Sequence, residues 1–231
     1  MVAERIEQGV TNSRDVIDSF RSFFFRIIRN EMGLPVVYFK GDMMKQQLYD
    51  ALSDNPIIMA IKDEKGLKAC LKAHDENVVF VLYGEVATIA DITEQLKAAG
   101  KQVVVHMDLI SGLSAREEAV DFIARYTKAD GIISTRYDQI KRGKQLNLST
   151  IYRIFVIDSK ALSNLNRHIG DYADIVEILP GLMPKIITRM KKELGLPIIA
   201  GGLIADKEDV IQALNAGAIA ISTTNENVWG M

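Results

Sequence analysis

Two short apolar runs near the C-terminal end of the sequence are each followed by small or hydroxyl-bearing residues. Residues 197–200 precede a Gly-Gly pair, and residues 218–221 precede Ser-Thr-Thr. A helical pattern that begins at Asp206 separates them, so both runs are typical of parallel strands whose ends lie side by side. Backbone N–H groups and hydroxyls gathered in this way bind phosphate, although Gly-Gly could also be only a tight turn. The expected phosphate-binding residues are Gly201, Gly202, Ser222 and Thr223.

Polar side chains also follow other predicted strands. His106 and Asp108 are two residues apart, so on a strand both would point to one face. Such a pair could ligate a metal, act as base and orienting group, or bind hydroxyls, and Asp108 could also cap the following turn. The sequence has three histidines, and His74 and His168 fall on predicted helices. We therefore expect no metal, and no other cofactor.

Two more charged residues, Glu177 and Arg136, lie in or just after predicted strands. Glu177 interrupts the apolar run I-V-E-I-L, and a carboxylate that points into a protein core needs a partner. The partner is either a ligand hydroxyl, which we favour, or a buried Lys or Arg. Arg136 follows another strand, where its guanidinium could form paired hydrogen bonds with a phosphate or carboxylate.

Predicted strands and helices alternate along the chain from residue 55 onward, and they must position these residues. The predicted strands are 57–61, 78–82, 103–107, 131–134, 154–157, 175–179, 198–200 and 218–221. The predicted helices are 63–73, 88–99, 114–127, 138–146, 160–170, 183–194 and 206–215, with Thr88 and Ser114 as N-caps. An open doubly wound sheet would carry a Gly-rich turn after its first strand, where this chain has K-D-E. We therefore expect an α/β fold of the TIM-type (β/α)8 class.

Length and composition limit the possible classes of protein. With 231 residues the chain can form one large barrel, and a net charge of −2 gives no overall signature of nucleic-acid binding. The single cysteine, Cys70, excludes a disulfide framework within the chain and is typical of a reducing compartment. No apolar run is long enough to span a bilayer, and the N-terminus lacks the pattern of a signal peptide. We expect a soluble cytoplasmic protein without a membrane partner.

The first part of the chain does not follow the alternation. We expect residues 1–52 to be an N-terminal extension and residues 53–231 to form the barrel, which binds the ligand. Residues 14–29 have an amphipathic helical pattern with a Phe-rich face, followed by a possible short strand at 36–39 and a helix at 42–52. The amphipathic helix could pack on the barrel, where it could replace a missing eighth helix, or it could form a homodimer. Its arginines could instead meet the phosphates of RNA or lipid.

The strongest local excess of positive charge lies between residues 136 and 153. Besides Arg136 and Arg153, it includes Lys141, Arg142 and Lys144 on a predicted helix, against one acid, Asp138. Most such clusters are solvated helix faces, and the alternative is a patch for RNA phosphates. The RNA-binding candidates are Lys141, Arg142 and Lys144.

Four motifs occur in register along the predicted barrel. They are V-H-M-D-L-I-S-G-L at 105–113, D-G-I-I-S-T-R at 130–136, E-I-L-P-G at 177–181 and I-A-G-G-L-I at 199–204. With them the chain resembles the glycerol-3-phosphate-responsive antiterminator family, and the similarity continues through residues 216–224 to Trp229. The first fifty or so residues lie outside the usual pattern of that family.

The resemblance implies a barrel-shaped regulator and not an enzyme. Glycerol 3-phosphate would be its effector, and it would bind an mRNA leader and prevent termination before glycerol uptake and catabolism genes. The expected phosphate cradle would then face a polyol side formed by His106, Asp108, Glu177 and Arg136. The alternative is a TIM-barrel isomerase or lyase that acts on a phosphorylated polyol or sugar, with His106 and Asp108 as acid and base.

Overall fold

The computed structural model describes residues 25–29, 35–73, 77–158 and 169–231, and the side chains among them from Lys45 onward. The chain divides into two compact units, Met1–Met43 and Met44–Met231. The first contains an antiparallel pair of strands, β1 (Phe25–Arg29) and β2 (Pro35–Phe39). The second contains the barrel.

The prediction that the N-terminal helix extends to residue 29 is wrong. Residues 25–29 form β1 and not a helix, because the β-branched and aromatic sequence F-R-I-I-R pairs with P-V-V-Y-F in β2. Residues 14–24, and with them the proposed dimerising or barrel-covering helix, lie outside the described residues. The predicted strand at 36–39 and helix at 42–52 are confirmed as β2 and as α1 (Lys40–Asp54).

Eight parallel strands form the closed barrel, and the expected TIM-type fold is confirmed. The strands are β3 (Ile57–Ile61), β4 (Val78–Val81), β5 (Gln102–His106), β6 (Gly131–Ser134), β7 (Ser149–Phe155), β8 (Ile175–Leu179), β9 (Ile198–Gly201) and β10 (Ala220–Thr223). Each strand pairs with the next along the chain, and β10 closes the barrel against β3. The largest error in the strand prediction is β7, which begins five residues earlier than expected because its first residues are Ser149 and Thr150 and not apolar.

Helices connect the strands around the outside. They are α2 (Glu64–Cys70), α3 (Ile89–Ala98), α4 (Glu118–Tyr126), α5 (Tyr137–Gln145), α6 (Pro184–Leu194), α7 (Lys207–Asn215) and α8 (Glu226–Trp229). Asp206, where the helical pattern begins, is the N-cap of α7, because its carboxylate accepts a hydrogen bond of 3.0 Å from the backbone N–H of Asp209. Ser114 does not cap α4, which begins only at Glu118. Most of the predicted helix at 160–170 lies outside the described residues, and Ile169–Asp171 is a 3-10 turn.

The interior of the barrel and its helical jacket form two separate apolar clusters. Alternate strand residues such as Phe80, Val104 and Ile133 are fully buried in the interior, while their neighbours face the helices. Because every second residue of a strand faces the interior, the last inward-facing residue of each strand lies at the C-terminal mouth of the barrel. The polar residues that end the strands lie at the same mouth. Every helix in the described part of the chain is too short or too polar to cross a lipid bilayer.

The N-terminal end of the barrel is closed by α1. Leu48, Ala51 and Leu52 belong to the same buried cluster as the interior strand residues. The hydroxyl of Tyr49 donates a hydrogen bond of 3.0 Å to the carbonyl of Asp174, just before β8. The unit that holds the barrel begins at Met44, so the second half of α1 joins it, ahead of the boundary expected at residue 53.

A substitution of Leu52 tests this closure. The side chain is 2% exposed, so Leu52→Ala leaves a cavity at the base of the barrel and lowers the free energy of unfolding by about 2–5 kcal/mol. Urea denaturation measures the loss. Ser53→Ala, one residue along on the exposed side of the same helix, is the matched control and changes the free energy by no more than about 0.5 kcal/mol. Equal stability of the two variants would contradict the packing of α1 in the barrel.

Candidate functional site

A buried polar network lies at the C-terminal mouth of the barrel and is centred on Glu177 in β8. The Nε of Arg153 in β7 donates a hydrogen bond to Glu177 Oε2, and the Ser222 hydroxyl in β10 donates one of 2.5 Å to Oε1. The side chain of Glu177 is 0% exposed and that of Arg153 is 8% exposed. A buried carboxylate needs this compensation by a cation and by hydrogen bonds. Of the two partners considered for Glu177, the buried arginine is therefore present, and a ligand hydroxyl stays a prediction.

Gly201 makes room for this network. A Cβ at that position would lie 2.5 Å from Glu177 Oε1 and 2.7 Å from the Ser222 hydroxyl oxygen. Such distances are too short for non-bonded atoms, so the glycine allows the strand to pass beside the carboxylate. The side of Gly201 that faces the interior is thus in contact with an anion and not with open space.

The other predicted phosphate residues are also engaged within the protein. Thr223 Oγ1 donates a hydrogen bond of 2.9 Å to the carbonyl of Ile204 and accepts one of 3.1 Å from the backbone N–H of Asn225. Gly202, at φ +74°, has the left-handed conformation that favours glycine. Within the described part of the chain, three backbone N–H groups just after the two strands donate to no protein acceptor, those of Gly202, Leu203 and Thr224. They, and not the hydroxyls of Ser222 and Thr223, are the donors available for an anion.

His106 lies beside the network as a neutral side chain. It is 3% exposed, and its Nδ1 makes no hydrogen bond to the described residues. Burial and the positive charge of Arg153 lower the pKa of His106 to about 4, against the opposing effect of Asp108. The Nδ1 atom is 3.9 Å from Asp108 Oδ2, which is too far for a direct hydrogen bond.

Asp108 joins the ends of two neighbouring strands. It lies in a 3-10 turn after β5 and not on the strand itself, because β5 ends at His106. Its carboxylate accepts hydrogen bonds of 2.8 Å from the Thr135 N–H, 3.1 Å from the Ser134 hydroxyl and 3.0 Å from Arg136 Nε. Burial alone would raise the pKa of Asp108, but the hydrogen bonds from Thr135 and Ser134 lower it overall. Asp108 is therefore a fixed acceptor and poorly suited to act as a general base.

The three RNA-binding candidates on α5 do not form one free cationic face. Arg142 donates hydrogen bonds of 2.6 and 3.0 Å to the two carboxylate oxygens of Asp121, and Lys144 lies 2.7 Å from Asp174 Oδ1 at the N-terminal end of the barrel. Lys141 makes no ion pair with a described residue, and its Nζ lies 5.8 Å from the ring centre of Tyr172. Of the three charges, that of Lys141 is the one available to an external anion.

Among the described residues no group of three or more His, Cys, Asp or Glu side chains is placed to hold a metal ion. Cys70 is buried. His74 and His168 lie outside the described residues, so their predicted helical positions stay predictions.

Arg153 is the residue that the sequence-based site prediction missed. Arg153 belongs to the basic cluster of residues 136–153, but the predicted strand 154–157 starts one residue after it. Extended back to Ser149, the strand alternates Ser149, Ile151 and Arg153 on the inward face. A strand prediction that tolerated Ser and Thr at its start would have placed Arg153 on the inward face, and the register of β7 and β8 in the structure sets it opposite Glu177.

The motifs that surround this site identify a known family. A family model described as glycerol-3-phosphate responsive antiterminator matches residues 57–229, which include the whole barrel. The chain belongs to this family. Among curated proteins, it is 39% identical over 183 residues to the uncharacterized protein YgcP of Escherichia coli strain K12, covering 79% of this chain and 95% of that protein.

Solved structures of antiterminator proteins are similar to this family member. The glycerol uptake operon antiterminator regulatory protein of Listeria monocytogenes str. 4b F2365 is 36% identical with a TM-score of 0.73, covering 77% of this chain and 96% of that one. A glycerol uptake operon antiterminator-related protein of Thermotoga maritima MSB8 is 32% identical with a TM-score of 0.67, covering 76% and 98%. Orotidine 5'-phosphate decarboxylase of Pyrococcus horikoshii OT3 is 21% identical with a TM-score of 0.56, covering 76% and 91%, and so shares the fold alone.

The neutral state of His106 predicts how stability depends on pH. Its pKa of about 4 lies below the ordinary 6.5, so the unfolded chain binds the proton more readily between these values. The neutral, buried His106 therefore contributes about 3 kcal/mol to the free energy of unfolding. This contribution is complete above pH 6.5 and is lost as the pH falls toward 4. His106→Gln removes it, so urea denaturation at pH 7.5 and 5 gives a smaller loss on acidification for the variant. Parallel losses in the two proteins would contradict a buried neutral His106.

The close approach at Gly201 gives a second test. Gly201→Ala introduces a Cβ that must separate Glu177 from Ser222, which lowers the free energy of unfolding by about 1–3 kcal/mol. The matched control is Gly230→Ala, because a Cβ there meets no atom within 4 Å. Thermal or urea unfolding measures both. If Gly201→Ala is as stable as Gly230→Ala, the network does not have the tight geometry described.

Proposed function

We propose that this protein is a glycerol-3-phosphate-dependent transcription antiterminator. The effector binds at the C-terminal mouth of the barrel, and the complex acts on an mRNA leader to allow expression of genes for glycerol uptake and catabolism. Contact with mRNA would place the protein in the cytoplasm. The match of the family model over residues 57–229 carries this proposal, since that range contains every residue of the candidate site.

The chemistry of the mouth supports a small phosphorylated polyol as the effector. Free backbone N–H groups after β9 and β10 can bind a phosphate, as they do at the corresponding loops of many barrels. Glu177, Asp108 and the neutral His106 offer acceptors and donors for hydroxyls, and Arg136 stands exposed beside Asp108. Most of these side chains are held by partners in the protein, so they can bind a ligand with little loss of conformational entropy.

For the RNA contact we propose Lys141 on α5, with Arg142 and Lys144 in lesser roles. Arg142 and Lys144 would have to leave Asp121 and Asp174 to meet a phosphate, which costs the ion pairs that they already form. With few available cations, we expect RNA binding with a shallow dependence on salt concentration.

The alternative, a barrel isomerase or lyase, is favoured by the juxtaposition of His106 and Asp108. A general base must be free to accept a proton, yet Asp108 is occupied by hydrogen bonds from the end of β6. Glu177 is likewise engaged by Arg153 and Ser222. Turnover of phosphorylated polyols that is lost in Asp108→Asn, with binding retained, would favour the enzyme.

Effector binding is tested by thermal unfolding of the full chain with glycerol 3-phosphate, glycerol or inorganic phosphate. Glycerol 3-phosphate at 100 times its Kd stabilises the protein by about 2.7 kcal/mol, which raises Tm by roughly 5–10 °C for a chain of this size. Glycerol and inorganic phosphate, each with half of the interactions, have much smaller effects at the same concentration. Equal effects of phosphate and glycerol 3-phosphate would contradict a specific effector site.

The regulatory step is tested by transcription in vitro from a template that carries the leader of a glycerol gene from the same genome. Read-through of the terminator should increase when both protein and glycerol 3-phosphate are present, and Lys141→Glu should reduce this increase. Lys128→Glu, a substitution of another surface lysine away from α5, is the control and should leave it unchanged. Read-through that does not respond to the effector would reject the proposed regulation.

A further inference from the structure

The buried network restricts where a phosphate can bind in the mouth. Glu177 contacts the Ser222 hydroxyl at 2.5 Å and lies directly below Gly201. A phosphate placed against Ser222 and the inward face of Gly201 would lie beside this carboxylate, whose charge Arg153 offsets, and it would find the Ser222 hydroxyl already donating to Glu177. The phosphate therefore has to bind farther from Glu177 than the sequence pattern suggests.

A polar cleft next to β10 offers that position. Its volume is about 410 Å³, and it lies between the loop that follows β3 and the loop that follows β10. Its lining includes Ala60, Lys62, Thr224, Asn225 and Asn227. Ala60 belongs to the interior cluster, so the cleft reaches the inside of the barrel at its mouth.

Lys62 is the available cation of this cleft. Ile58 and Ala60 face the interior, so by alternation Lys62 follows them on the same side, one residue past the end of β3. It forms no ion pair or hydrogen bond with any described residue, and it is exposed. A flexible ammonium group at the rim of a barrel is well suited to meet a phosphate.

The other charged groups of the cleft are already engaged. Lys65 pairs with Glu226 at 3.3 Å, and the carboxylate of Asp63 accepts a hydrogen bond of 2.8 Å from the Gly66 N–H at the start of α2. The backbone N–H of Thr224, in contrast, donates to no acceptor among the described residues. A cation and a backbone donor, both available, thus lie on opposite sides of one cleft.

We propose that the phosphate of the effector binds in this cleft, between Lys62 Nζ and the backbone N–H of Thr224, with its glycerol part directed toward Glu177 and His106. The inference rests on the proposed function, because it assigns the phosphate of glycerol 3-phosphate to a new position. The first and last strands of the barrel, β3 and β10, each contribute one half of the phosphate site. Their register, in which Thr223 pairs with Met59, brings the halves together only when the barrel is closed.

Calorimetric titration of the full chain with glycerol 3-phosphate tests the assignment. Lys62→Met should weaken binding about 10- to 100-fold, as expected for loss of a charged hydrogen-bond donor to phosphate. Lys62→Arg keeps the charge and should stay within about threefold of the wild type. Lys68→Met is the matched control, since Lys68 is an exposed lysine of α2 that pairs with Glu64 and does not line the cleft, and it should also stay within that range.

The outcomes separate this inference from the proposed function. If the wild-type protein binds glycerol 3-phosphate and Lys62→Met binds it equally well, the phosphate lies elsewhere and the inference is overturned, while the function stands. Equal losses in Lys62→Met and Lys68→Met would show that only the net positive charge near the mouth matters, and would also overturn the inference. Absence of binding to the wild-type protein would reject the effector itself, and the inference with it. Circular dichroism and Tm of each variant exclude misfolding, because Lys62 is exposed and its loss should leave both unchanged.

Discussion

A carboxylate buried inside the barrel sets the conditions for everything around it. Glu177 is inaccessible to solvent, and it is tolerated there because Arg153 supplies a positive charge and Ser222 a hydroxyl. Removal of Arg153 would leave an uncompensated charge in the core, and removal of the Ser222 hydroxyl would leave one carboxylate oxygen without its hydrogen bond. The network thereby ties three strands of the barrel, β7, β8 and β10, together at the mouth.

Three local features follow from this ion pair. Position 201 is glycine because any side chain would collide with the carboxylate. His106 is neutral because it is buried near the guanidinium of Arg153. The hydroxyl of Ser222 donates to the carboxylate, so the donors that have no acceptor among the described residues lie in the loops, as the backbone N–H groups of Gly202, Leu203 and Thr224. The buried network thus occupies the strand ends and leaves the loop groups available.

The two ends of the barrel differ in their residues and contacts. The N-terminal end is closed by apolar residues of α1 and held by Asp174, which pairs with Lys45 and Lys144 and accepts hydrogen bonds from Thr150. The C-terminal end instead holds the buried polar network of Glu177, Arg153 and Ser222. Of the three basic residues of α5, Lys144 is paired at the N-terminal end and Arg142 is paired with Asp121, which leaves Lys141 without an ion pair to a described residue.

The barrel, the polar strand ends and the family can be predicted from the amino-acid sequence, because hydrophobic alternation, glycine turns and short motifs are local properties. The sequence also predicted His106, Asp108, Glu177 and the Gly-Gly turn as neighbours, but the prediction missed Arg153 and the strand at residues 25–29. Which charges are paired depends on the fold, since Arg153 and Glu177, or Arg142 and Asp121, meet through strand register and helix packing between distant segments. A residue's type reveals the chemistry it can perform, whereas its partners decide whether it is free to do so.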